Sequence, residues 1–133
     1  MKTDYEIKTE VYKHIYGSSL HQEVNGVLTK TKRPKDSDKE DIVISVVANQ
    51  NGQTQYVSLN VNIYVKDDLR NNQYEENTER TGQLSTLAAE LLEIFIGPGY
   101  RVTLTSQHTY DTNAGEHVIN NRLYYQQNNE ADF

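Results

Sequence analysis

The chain contains no cysteine and no tryptophan, and only two prolines, two phenylalanines and one methionine. Without thiols there is no disulfide framework, no thiolate zinc site and no cysteine nucleophile, a composition that suits a reducing compartment. Long apolar runs are missing too. The longest, residues 42–48 and 91–96, are each interrupted by a polar residue and fall far short of the roughly 20 residues that cross a bilayer. The opening Met1-Lys2-Thr3-Asp4-Tyr5-Glu6 lacks the apolar stretch of a signal peptide, so the expectation is a soluble protein with no membrane partner. Positive charge is in deficit: the net charge is −6 and the pI about 5.1, which argues against broad contact with nucleic-acid phosphates.

What is present is tyrosine, ten of them, in a chain also rich in Asn and Gln. Tyr joins a large apolar ring to a polar tip and serves half-buried sheets and protein interfaces. A length of 133 residues fits one domain, residues 1–133, large enough to bury about two-thirds of its unfolded surface.

Ile7, Val11 and Ile15 stand at i, i+4 and i+8, predicting one N-terminal helix over residues 5–20 that weakens at Gly17-Ser18-Ser19. A short strand over 27–32 stops at Pro34. Residues 30–41 carry five bases and four acids and read as a solvated, mobile connector. Residues 42–48 are apolar on both parities, as in a strand covered on both faces, and Asn49-Gln50-Asn51-Gly52 signals a hairpin. The clearest period follows: Val57, Leu59, Val61, Ile63 and Val65 alternate with Ser58, Asn60, Asn62, Tyr64 and Lys66. One face of that strand belongs on a core under the helices, and the other is polar. Residues 66–77 read as a polar loop. A second helix begins at Thr78 or Thr81, runs through Leu84, Leu87, Ala88, Leu91, Ile94 and Phe95, and stops at Gly97-Pro98-Gly99. A strand from Tyr100 reaches Tyr110, a loop spans 111–116, and a last strand covers 117–126 with Ile119, Leu123 and Tyr125 on one face. Residues 128–133 read as a loose tail. The expected fold is α+β, in the order α-β-β-β-α-β-β: a mostly antiparallel sheet of about five strands with two helices on one face.

No catalytic centre is legible. Gly17-Ser18-Ser19 follows a helix rather than a strand, unlike a hydrolase nucleophile, and Gly97-Pro98-Gly99 opens no helix that would cradle phosphate. Asp67-Asp68 and Glu75-Glu76 lie in a loop with no expected burial. Of His14, His21, His108 and His117, only the last two fall together, with Asp111 and Glu116 around one expected hairpin, a pattern that is common on ordinary surfaces and reads as one here rather than as a metal site. The reading is no catalytic residue, no cofactor and no metal. Lys30, Lys32, Arg33 and Lys35 are offset by Asp36, Asp38, Glu40 and Asp41, which disfavours specific nucleic-acid binding and leaves a protein partner open.

Lys32-Arg33-Pro34, then Glu40-Asp41-Ile42-Val43-Ile44-Ser45, then Val57 leading into Asn60-Val61-Asn62-Ile63-Tyr64-Val65, resemble the small tail-completion, or tail terminator, proteins of tailed phages and prophages. The versions in prophages of gut Bacteroidetes are nearest in pattern. The helix over 84–95 sits where that family places its second helix. The resemblance implies an α+β sandwich and a homo-oligomeric ring, usually hexameric, that caps the tail-tube protein and docks the head-connector protein without catalysis. It implies a protein that assembles in the host cytoplasm and ends in the tail or neck of the virion. The hairpin over 100–126 is longer than in a minimal member. Another head–tail connector or adaptor of similar build, or a small metal-binding or enzymatic domain, are the alternatives. Residues expected at a protein interface are Lys32, Arg33, Pro34, Lys35, Asn60, Asn62, Tyr64, Tyr110 and Tyr124.

Overall fold

The computed structural model describes residues 1–129. Helix α1, Asp4–Ile15, opens on a capping box. Thr3 Oγ1 accepts the Glu6 N–H and Glu6 Oε1 accepts the Thr3 N–H, both at 3.2 Å, so two donors at the helix start find partners. Ile7, Val11 and Ile15 are fully buried. The helix does not continue to residue 20. Gly17 takes φ 76°, a conformation glycine adopts at little cost, and Ser18 starts a separate short helix, α2 (Ser19–Glu23), by accepting the His21 N–H.

Among the described residues, the main sheet has six strands rather than five. They are β1 (Leu28–Thr29), β2 (Ile42–Gln50), β3 (Thr54–Lys66), β6 (Ile94–Gly97), β7 (Tyr100–Asp111) and β8 (Glu116–Asn128), in spatial order β1-β2-β3-β8-β7-β6. All pairings are antiparallel except β1 with β2. The fold is therefore α+β with a mostly antiparallel sheet and, among the described residues, three helices where two were predicted. A separate ribbon, β4 (Asp68–Arg70) with β5 (Gln73–Glu75), occupies part of what read as a loop. Strand β1 is two residues long, not six.

Helices α1 and α3 (Thr78–Leu92) lie on one face of this sheet, and α2 packs on α3. Beneath them sit Val57, Leu59, Val61, Ile63 and Val65 of β3, all buried, as their alternation predicts. Ile119, Leu123 and Tyr125 of β8 join them, with Val102 of β7 and Leu84, Ala88 and Leu92 of α3. Removing such side chains from water is worth about 1.5–3 kcal/mol each. Strand β2 departs from its expectation of cover on both faces. Ile42 and Ile44 are buried, but Val47, at a bulge between Val46 and Ala48, is 51% exposed.

The second helix also ends earlier than its spacing suggests. It stops at Leu92, and Ile94–Gly97 turns into the edge strand β6. Gly97-Pro98-Gly99 is thus not a helix stop. Gly97 pairs with Tyr100 across Pro98-Gly99, and Gly99 takes φ 74°. At the other end, Asn128 pairs with Thr54, and the Asn129 N–H bonds the Gln53 carbonyl at 2.9 Å. Asn128 thus belongs to the sheet and Asn129 is bonded to the turn before β3, rather than both forming a loose tail; residues 130–133 lie outside the described residues.

Candidate interaction face

The sheet face opposite the helices collects the polar positions of the central strands. Antiparallel register places Asn60 opposite Arg122, Asn62 opposite Asn120 and Tyr64 opposite Val118, and Val118 opposite Tyr110. Directly opposed side chains on one face are neighbours, and here they bond. Asn120 Nδ2 donates to Asn62 Oδ1 at 2.7 Å, and Arg122 Nε donates to Asn60 Oδ1 at 2.7 Å. Tyr56 and Tyr124 stack at 5.7 Å between centroids. Asn60, Asn62, Tyr64, Tyr110 and Tyr124 therefore share one face. Tyr56, Asn120 and Arg122 belong to it too and were not among the predicted residues; their parity along β3 and β8 is the signal that assigns them.

The 30–41 segment is not the free connector that its composition suggests. Arg33 Nε donates to Asp41 Oδ2 at 2.9 Å, and Nη1 reaches both Glu116 oxygens at 2.9 Å. Arg33 Nη2 donates to the carbonyls of Ser37 and Lys39 at 3.0 Å. Asp41 is 1% exposed and also accepts the Val27 N–H at 2.8 Å and the Ser37 hydroxyl at 2.5 Å. Burial pushes its carboxyl up, but these hydrogen bonds outweigh burial and hold it below the usual range. Glu40, also buried, is gripped by Arg80 through Nε at 2.6 Å and Nη2 at 2.7 Å. Arg33 is thus spent on fastening the loop, and only its stacking side meets the open face. Lys32, Pro34 and Lys35 are exposed beside it.

Two sheet edges flank this face. Among the described residues, strand β6 has no neighbour on its outer side. Its register with β7 puts Ile94 opposite Thr103 and Ile96 opposite Arg101, on the open face, where the two isoleucines are 54% and 74% exposed. Across the sheet, among the described residues, β1 covers β2 only as far as Val43. Unpaired strand edges present free backbone donors and acceptors. Neither edge was foreseen from the sequence. The alternation of Ile94 and Ile96 around buried Phe95 is the signal for β6.

The four histidines do not converge. His14 stacks on Phe95 at 3.7 Å, and His21 Nδ1 accepts the Gly17 N–H. His108 pairs with Asn120 on the open face and stacks with Tyr110. The expected hairpin cluster is therefore split. Glu116 faces Arg33, while Asp111 pairs with His117 and meets Asp67 from the end of β3.

No protein-family model matches the chain, and no curated protein sequence matches it.

Proposed function

We propose that the chain is a structural protein of a tailed phage or prophage. It forms a homo-oligomeric ring at the tail or neck, terminates the tail tube and joins it to the head connector. The observation that carries this reading is the pair of different open edges on one sheet, β6 with exposed Ile94 and Ile96, and the outer side of β2 beyond Val43. A closed ring needs a heterologous contact, in which one patch meets a different patch on the neighbour. Two unlike edges flanking one rigid sheet meet that requirement. The Asn and Tyr face between them supplies donors, acceptors and flat apolar rings, the composition favoured at interfaces. The element order and the Lys32-Arg33-Pro34 and Glu40-Asp41-Ile42 runs support the tail terminator assignment through their resemblance to that family.

Immunogold labelling of purified particles with an antibody to this chain tests the placement. Label at the head–tail junction is expected. Label along the tail shaft, on the head alone or on no particle contradicts it.

A further inference from the structure

Asp67 sits between β3 and β4, with its side chain 3% exposed. A carboxylate taken out of water needs a counter-charge or a full set of donors. Among the described residues, the side chain that hydrogen-bonds it is His117, whose Nδ1 lies 2.6 Å from Asp67 Oδ1. Two further carboxylates approach the same imidazole. One donor atom from each of Asp67, Asp111 and His117 lies within 4.8 Å of the other two, and Glu76 Oε1 is 3.7 Å from His117 Nε2. The buried Thr81 hydroxyl bonds the other Glu76 oxygen at 2.6 Å, fixing the carboxylate while leaving Oε1 beside the ring. Among the described residues, no Lys or Arg forms an ion pair with Asp67, Asp111 or Glu76, whereas every other partly or fully buried acid in the ion-pair network has one. Three carboxylates around one imidazole leave negative charge in excess even when the imidazole is protonated.

We propose that Asp67, Asp111 and His117, with Glu76 beside them, bind one divalent transition-metal ion of the zinc class. The donor set selects the class. An imidazole nitrogen among carboxylate oxygens suits Zn²⁺ or Co²⁺, whereas Mg²⁺ and Ca²⁺ prefer oxygen throughout. The ligands come from the β3–β4 junction and the two strands of the β7–β8 hairpin, while Glu76, the residue preceding the Asn77 cap of α3, lies beside the other ring nitrogen of His117 and orients the ring. An ion there fastens two segments that are remote in sequence, and the site is structural. It departs from the expectation of no metal read from the sequence, and it does not depend on the assembly reading.

The test uses the full chain purified without a chelating tag, stripped with EDTA and titrated with Co²⁺ by visible absorption and with Zn²⁺ by calorimetry. One ion per chain is expected, with a rise in Tm on Zn²⁺ addition. His117→Gln should weaken binding at least tenfold. Should that variant fail to fold, Asp111→Asn, at an exposed position, keeps the test open and should weaken binding similarly. His108→Gln should leave affinity unchanged. Absence of stoichiometric binding, equal affinity in Asp111→Asn, or loss of binding in His108→Gln overturns the proposal.

Discussion

The Arg33 guanidinium lies over the Tyr64 ring, its central carbon 4.1 Å from the ring centroid, while its nitrogens hold Asp41 and Glu116. One side chain thus ties a long loop to the start of β2, the end of β3 and the start of β8. Removing one partner of such a pair strands a buried charge, at a cost of about 3–5 kcal/mol. Arg33→Ala should lower unfolding free energy by that order in urea titrations. Arg33→Lys should recover only part of it, because an ammonium cannot reproduce the planar fork.

The same network has a pH signature. Asp41 is held below its ordinary range, so its contribution to stability is complete above the unfolded carboxyl pKa and is lost as pH falls through the lower folded value. Ser37→Ala removes one hydroxyl donor to Asp41 and should reduce the stability lost below about pH 4, the region of unperturbed Asp titration. Denaturant midpoints across that range check it.

Strand β3 separates two kinds of substitution. Leu59 is fully buried, so Leu59→Ala should cost about 2–5 kcal/mol, and Leu59→Asp or Val61→Asp should abolish soluble folding. Asn60 accepts from Arg122 on the open face, so Asn60→Asp should change stability by no more than about 0.5 kcal/mol. Thermal melts of the variants decide; the reverse ranking means the faces are exchanged.

Tyr125 is fully buried, and its hydroxyl donates to Glu10 Oε2 at 2.5 Å. Burial first, and Glu10 second, push its ionisation far above the usual tyrosine value. The neutral phenol is therefore favoured by folding. Its contribution is present below the unfolded tyrosine pKa of about 10 and declines as pH rises above it. In an alkaline absorbance titration Tyr125 should ionise only with unfolding, and Tyr125→Phe should shift the alkaline unfolding midpoint upward.

Legibility in the sequence followed the range of the interactions. The β3 alternation and the α1 stripe were readable because period two and period 3.6 are local properties of the chain. The end of α3 was not, because Ile94 and Phe95 continue helical spacing from Leu91 and also alternate as strand residues. The β4–β5 ribbon carried a readable signal that composition masked. Asn71 and Asn72 both adopt positive φ, 51° and 63°, as a two-residue hairpin turn requires and as Asn tolerates. The charged loop misled for a different reason. Asp41 is eight residues from Arg33, but Glu116 is 83 away, so nothing local announces that its charges are neutralised inside the fold. The same separation hid Asp67 from His117, 50 residues apart.

The central claim concerns assembly through the two open sheet edges, and electron microscopy of this chain mixed with the cognate tail-tube protein tests it most directly. Wild-type protein should appear as rings on the ends of tubes whose growth has stopped. Ile96→Asp, at a 74% exposed edge position, should leave the monomer folded and yield uncapped tubes. Tubes that elongate unchanged, with the wild-type chain remaining unbound in solution, contradict the account.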